Sequence, residues 1–508
     1  MSSAPSWNRR TFVQSLATGA VALATPHCLS SAARSPAKRN VLFIAVDDLR
    51  PQLGCYGQHQ MISPNIDRLA GEGLLFERAY CQQPICMASR ASLLSGYRPE
   101  HNRIYTCGSL HTLVPDALTL NQHFSQNGYE IWASGKIYHH AEDHQHQFGD
   151  RWQNPDGNWV GRGYLTPEAI VAVRENESRH SSDPAAAGGR GPAFEAAEVE
   201  DNAYEDGAMT DLALSQLERL AHETKPFWMA LGFHKPHLPF NAPAKYWRLY
   251  DSQRIRLADN PFLPQNATEF TRFNFSELRN YVGIPQGTQP LPDDLALQLV
   301  HGYYACVAYI DAQIGRLLQA LDRLKLRDKT VIVLWGDHGW KLGEHGLWGK
   351  HTPFEWDCRA PLIISAPHLA AAGQRTRALV EFVDIYPTLC DLCGLPKPDH
   401  LQGDSLIPLW QNPSRPWKRA AFTQWPKKDR DDPDKLITGY AIKTDRFRYV
   451  EWTHVKTRDI LARELYDHET DPAENINLAS LAEHQTLVQS LSRMLNHGEG
   501  WRTLRPQP

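Results

Sequence analysis

Basic tracts are missing from this chain. Its 57 acidic against 53 basic side chains leave a formal charge of −4, which argues against a nucleic-acid partner. A polyanionic ligand would have to be captured by a local focus of cations, because the surface as a whole is not basic. Cysteine is sparse as well: the nine present show neither a zinc-knuckle spacing nor a dense disulfide framework. Cys390 and Cys393 have the CxxC form, but they sit in DIYPTLCDLCGLP, an apolar helix closed by Gly394 and Pro396, which predicts packing. Beyond the N-terminal region no segment approaches the roughly 20 apolar residues of a transmembrane helix, and no internal repeat is evident. Apolar sequence is abundant, at 42% of 508 residues, enough for a large buried sheet and a smaller second unit.

Two apolar runs end in acidic residues. Residues 40–50, NVLFIAVDDLR, are too short for a typical helix and read as a central strand of a parallel sheet. Open α/β sheets bind ligands beyond the carboxyl ends of their strands, so Asp47 and Asp48 fall where a metal site is built. Residues 329–339, KTVIVLWGDHG, repeat the pattern and present Asp337 and His338. Three carboxylates in one place repel one another unless a cation neutralises them, and hard oxygen donors favour calcium or magnesium over zinc. Calcium is the expected ion.

Two further strand ends carry histidine and lysine. A short strand at 129–132 leads into ASGKIYHH, which holds Lys136, His139 and His140. Residues 226–240, PFWMALGFHKPHLPF, read as a buried strand breaking into a turn. His234 emerges there, placed to protonate a leaving group, while His237 braces the loop. The run of His139, His140, His144 and His146 has an alternative reading as an adventitious metal tract. Residues 81–99, CQQPICMASRASLLSGYRP, place Cys86 one helical turn before Arg90. Residues 335–350, WGDHGWKLGEHGLWGK, add Trp340 and Trp348, each readable as a sugar-stacking ring or as core, and end in Lys350.

Taken together, Cys86-Met-Ala-Ser-Arg90, GFHKPHLPF and WGDHGWKLGEHGLWGK resemble the type I sulfatases, and within them the iduronate-2-sulfatase branch. The resemblance implies an α/β fold, an alkaline-phosphatase-like doubly wound sheet with a smaller C-terminal α+β subdomain. It implies that a formylglycine-generating maturation enzyme oxidises Cys86 to an aldehyde whose hydrate attacks sulfur. One calcium ion would be held by Asp47, Asp48, modified Cys86, Asp337 and His338, although His338 is also suited to hydrogen-bonding the sulfate. Arg90, Lys136, His139, His234 and Lys350 would form the catalytic shell, with Trp340 and Trp348 toward substrate. The expected substrate is a sulfated oligosaccharide or polysaccharide carrying a uronic acid 2-O-sulfate, and Lys350 is the expected contact for the uronate carboxylate. The chain departs from the family's commonest core at Ala88, where proline is usual. Two rival readings are a phosphoryl hydrolase of the same superfamily and a catalytically silent glycan-binding protein.

Residues 1–33 resemble a twin-arginine signal, with Asn8-Arg9-Arg10-Thr11-Phe12 before a modest apolar stretch, which predicts export to a bacterial periplasm. Residues 34–415 are expected to form the catalytic domain and 416–508 the subdomain, with one strand over 439–452, another at 464–467 and a closing helix near 483–496. Helices are expected at 64–73, 113–128, 204–224 and 293–324. Residues 174–197, rich in Ser, Ala, Gly and Pro, read as an exposed insertion.

Overall fold

Leu42, Ile44 and Val46 face one apolar core, while Val41, Phe43 and Ala45 face another. A strand apolar on both faces must lie inside a sheet covered on both sides, and Asn40–Val46 does. It pairs in parallel with Thr330–Gly336 on one side and with Phe227–Phe233 on the other. The computed structural model describes residues 38–105, 108–179, 188–272, 276–368, 370–428 and 436–497. The expected signal sequence at 1–33 lies outside them.

The central sheet has seven strands, in the order Gln374–Glu381, Leu74–Tyr80, Leu362–Ser365, Thr330–Gly336, Asn40–Val46, Phe227–Phe233 and Glu130–Gly135. Leu362–Ser365 runs antiparallel to both of its neighbours, so the sheet is mixed. Its connection from Thr330–Gly336 contains only short elements such as Glu355–Cys358 and no crossover helix, and a chain that does not cross over returns antiparallel. The helices Glu205–Leu220 and Asp293–Arg323 pack on one face and feed Phe227–Phe233 and Thr330–Gly336. The helix expected over 113–128 is divided into Leu110–Leu113 and Leu120–Gln126. Pro115 falls between them, and a Thr119/Gln122 capping box starts the second.

Residues 174–197 are more than an exposed insertion. Phe194–Glu195 pairs with Phe240–Asn241, and the buried Glu195 carboxylate accepts hydrogen bonds from the Thr166 backbone at 2.8 Å and the Tyr204 hydroxyl at 2.7 Å. One buried carboxylate outweighs the polar composition around it. Toward the C-terminus, Ala421–Lys428, Leu436–Lys443, Phe447–His454 and Ile460–Asp467 form an antiparallel sheet. Gln485–His497 packs Val488, Leu491 and Leu495 against it. The single strand expected over 439–452 is a hairpin, because Thr444 closes a turn by accepting from the Phe447 amide at 2.9 Å. Arg448, buried in that sheet, pairs with Glu474 at 2.8 Å and with Glu355, tying the sheet to the segment that follows Lys350.

At Gly232 the strand Phe227–Phe233 passes so close to Lys136 that a Cβ would overlap the Lys136 carbonyl. Gly232→Ala is therefore expected to destabilise by about 1–3 kcal/mol, the usual cost of overpacking, seen as a lower thermal midpoint. A midpoint at or above that of the unaltered protein would show that the strands can separate there.

Candidate active site and metal centre

The ends of two paired strands fix the acidic residues. The Asp47 amide donates to the Phe233 carbonyl at 3.1 Å and that of Asp337 to the Val46 carbonyl at 3.3 Å, extending the sheet by one residue on each strand. The chain then turns at Asp48, whose φ of 59° is rare for a residue other than glycine, and its amide meets Asp337 Oδ1 at 3.1 Å. Asp47, Asp48 and Asp337 are all buried.

The helix Cys86–Ser95 is buried along its whole length and closes the nest from the side. Within Cys86-Met-Ala-Ser-Arg90 the last two residues both grip the second strand end. The Ser89 hydroxyl donates to the Asp337 carbonyl, and Arg90 Nε donates to Asp337 Oδ2 at 2.8 Å. Arg90 Nη2 also reaches Asp47 Oδ1 at 3.5 Å, while Nη1 donates to the Lys136 and Ile137 carbonyls. One rigid guanidinium fork thus holds three strand ends in register.

Cys86 Sγ lies 3.3 Å from His338 Nε2 and 3.5 Å from Lys350 Nζ. Burial, then the nearby Asp47, push its thiol up to about 12, so the unmodified side chain is a neutral thiol and a poor nucleophile. Lys136 Nζ sits 2.6 Å from Asp47 and Lys350 Nζ 2.7 Å from Asp48. Burial favours protonation of Asp47, but Lys136, His237 and Arg90 override it and hold the carboxyl below its usual range. For Asp48 burial wins, aided by Asp47, and the carboxyl is raised.

These residues fit a divalent cation. Oxygen atoms of Asp47 and Asp337 lie within 4.8 Å of Cys86 Sγ and a His338 nitrogen, and Asp48 joins Asp47 and Cys86 in a second such group with His237. Asp48 Oδ2 is buried without a hydrogen-bond partner. His338 Nδ1 faces the Gly339 carbonyl at 2.9 Å and must carry a proton there, which leaves Nε2 directed at both Asp48 Oδ1, at 3.4 Å, and Cys86 Sγ. Counting charge, Asp47, Asp48, Asp337 and the nearby Glu277 exceed Arg90, Lys136 and Lys350 by one. A divalent cation would turn that deficit into a single positive charge, the complement of a monoanion.

The nest opens on a cleft of about 510 Å³ lined by Asp47, Lys136, His139, His234, His237 and Glu277 among others. His234 stands at the rim with Nδ1 3.5 Å from Asp206, whose carboxylate accepts the His234 and Lys235 amides at 2.8 and 3.0 Å. Burial disfavours its imidazolium, but Asp206, joined by Glu205, overcomes this and raises His234 above the ordinary histidine value. Of the other histidines, His139 lines the cleft, whereas His140 lies against Met87 Sδ. His144 Nε2 accepts two backbone amides at 2.9 Å, a structural task that removes it from any metal tract.

Trp340 and Trp348 depart from expectation. They are 1% and 6% exposed and belong to the apolar core, and neither lines the cleft, so no ring face is offered to a sugar. Trp340 lies 5.2 Å below the Lys350 ammonium and helps fix it. Two participants were not read from the sequence at all. Glu277 bridges His237 at 3.1 Å and Lys350 at 3.6 Å, and Asp206 orients His234.

Residues 39–395 match the family model described as "Sulfatase", and 343–499 match that of the C-terminal region of N-sulphoglucosamine sulphohydrolase. The chain belongs to the sulfatase family. The sulfatase is 31% identical to iduronate 2-sulfatase of Mus musculus, over 96% of this chain and 98% of that protein. It is 29% identical to a sulfatase of Formosa agariphila, over 90% and 86% of the two chains. Among solved structures it superposes on the phosphonate monoester hydrolase of Agrobacterium radiobacter with a TM-score of 0.70 at 21% identity, covering 90% and 95%, which establishes the shared fold. Its enzymatic class is that of a sulfuric ester hydrolase.

The Asp206 contact yields a pH prediction. With its pKa raised, His234 keeps its proton below that value and loses it as pH rises through it, so an alkaline limb is expected in kcat/KM for a sugar sulfate. Asp206→Asn removes the larger cause and leaves Glu205, so the limb should move to lower pH. An aryl sulfate, whose leaving group needs no proton, should show a smaller displacement. An unmoved limb would free His234 from this role.

Proposed function

We propose that the sulfatase removes the 2-O-sulfate of a uronic acid in a sulfated glycan, using formylglycine made from Cys86 and one calcium ion. The observation that carries this reading is the convergence of a buried, unreactive Cys86 thiol with three aspartates and with the His338 and Lys350 nitrogens. Such a thiol does no chemistry as it stands, and the position makes sense for a side chain converted into an oxygen nucleophile. The name of the relative from Mus musculus supports the uronate, and the residue pattern at 8–12 supports export across a bacterial membrane.

A bound cation supplies Lewis-acid stabilisation of charge on the sulfate oxygens, and the aldehyde hydrate of residue 86 supplies the nucleophilic oxygen. The chain's own residues do the rest. Lys136, held by Asp47 and partly open to the cleft, binds a sulfate oxygen. Arg90 fixes Asp47 and Asp337, while Lys350 neutralises Asp48 beside residue 86. As the bond between sulfur and the sugar oxygen breaks, His234 gives its proton to the departing alkoxide, and the sugar leaves as the alcohol. His139, on the cleft wall, would take the remaining hydroxyl proton of a hydrate at residue 86, the proton whose removal lets sulfate leave. The single positive charge of the cation-loaded nest matches a monoanionic sulfate ester.

Peptide mass spectrometry across residues 81–99 is expected to find formylglycine at position 86, and chelation should abolish sulfate release until calcium is restored. Cys86→Ala should remove turnover of every sulfate ester. Full activity in that variant, or an unmodified thiol in active protein, would overturn the mechanism. In a panel of defined oligosaccharides a uronate 2-sulfate should react faster than an amino sugar 6-sulfate. The reverse order would replace the substrate and leave the sulfatase chemistry in place.

A further inference from the structure

Lys350 is the cation that the sequence offered for a uronate carboxylate, and the structure engages it elsewhere. Its ammonium is 2% exposed and lies between Asp48 at 2.7 Å and Glu277 at 3.6 Å. Lys136 is held by Asp47, and Lys235 directs its ammonium to the His237 and Pro239 carbonyls at 3.0 and 2.7 Å. One cation of the cleft wall remains. Arg162, like Lys235, has no carboxylate within 4 Å among the described residues, but its five-donor fork makes only two side-chain bonds.

Arg162 is also held in a built position. It lies in the turn between Val160 and Tyr164, flanked by Gly161 and Gly163 with φ of 57° and 91°. A Cβ at Gly161 would run into the Gly189 carbonyl, so close approach and backbone angle both require glycine there. The Arg162 amide donates to the Gly189 carbonyl at 3.0 Å, Nε to the Gly188 carbonyl at 2.9 Å, and Nη1 to the Tyr281 hydroxyl at 3.3 Å. Tyr281 is 2% exposed and bears the guanidiniums of Arg162 and Arg190 each 5.9 Å from its ring. With these bonds made, Nη2 and part of Nη1 remain for a ligand. A preorganised guanidinium in a concave, partly desolvated wall is suited to a planar oxyanion.

We propose that Arg162 anchors a second anionic subsite in the cleft, which takes a substrate oxyanion other than the scissile sulfate, in the first place the carboxylate of a uronic acid. This rests on the glycan-sulfatase reading above and names the residue that would make the enzyme selective. Discrimination comes from pairing a half-buried cation that the neutral sugar leaves unpaired.

The test compares the matured, calcium-loaded enzyme with Arg162→Met and Arg162→Lys on three substrates: a uronate 2-sulfate disaccharide, its carboxyl-reduced counterpart, and a reduced disaccharide carrying a second sulfate. The unaltered enzyme should prefer the uronate over the reduced sugar by ten-fold or more in kcat/KM, chiefly through KM. Arg162→Met should bring that ratio to within about two-fold of unity, and Arg162→Lys should leave an intermediate ratio. Preference for the disulfated sugar that is lost with Arg162 would keep the subsite and replace carboxylate by sulfate. An unchanged ratio in Arg162→Met, equal losses on all three substrates in both variants, or no selectivity in the unaltered enzyme would overturn the proposal. Absence of sulfate release from any ester, including an activated aryl sulfate, would instead overturn the glycan-sulfatase reading beneath it.

Discussion

Repulsion among Asp47, Asp48 and Asp337 is the constraint around which the sulfatase is assembled. Two like charges 4 Å apart cost about 4 kcal/mol even at an effective dielectric of 20, and burial adds the loss of hydration. The fold meets this with cations from three different segments, Arg90 from a helix, Lys136 from a strand end and Lys350 from a loop, all converging on the same few ångströms. Each is itself buried or nearly so, and the two lysines depend on the aspartates to keep their charge. Burial favours a neutral Lys350, for example, and Asp48 reverses this. Removing any one member strands an unpaired charge, which is why such a cluster is assembled whole.

Backbone rather than side-chain packing sets the precision of the arrangement. Asp48 reaches Asp337 only because its chain adopts a left-handed turn, and Lys136 sits beside Asp47 only because Gly232 lets the neighbouring strand pass. The same economy appears at the cleft rim, where the two oxygens of Asp206 accept successive amides and one of them also faces the His234 ring. A carboxylate that shapes a turn therefore also sets a proton affinity. Position and acidity of His234 cannot vary independently.

Much of this was legible in the sequence because strand ends announce themselves. An apolar run that stops abruptly at Asp-Asp or Asp-His states both the element and the place of its ligands, and the two runs at 40–50 and 329–339 pair directly. Glu277 and Asp206 were not legible. Glu277 belongs to a helix of only four residues, Ser276–Arg279, and Asp206 lies in the first turn of Glu205–Leu220, where an acidic residue is expected for the helix dipole alone. Their roles arise from long-range folding, which no local pattern encodes. Trp340 and Trp348 failed in the opposite direction: aromatic residues beside a site segment suggest a sugar platform, yet both belong to the apolar core, with Trp340 under Lys350. The hairpin at Leu436–Lys443 and Phe447–His454 was read as one strand because alternation continues through its tight turn.

The cleft separates two electrostatic tasks by depth. At its floor every cation is committed to a carboxylate, so the floor carries little net charge of its own and takes its sign from the divalent ion it is built to hold. At the wall the Arg162 side chain is committed to a carbonyl and a hydroxyl, which are dipoles, so its charge is not cancelled. A single free cation at the floor would bind any sulfate and confer no choice among sugars, whereas a single free cation on the wall acts only on a substrate whose second oxyanion lies at the right distance from the first. Selectivity then depends on the separation of two anions along a glycan, a property of sugar geometry. The Gly161–Gly163 turn fixes that separation on the side of the protein.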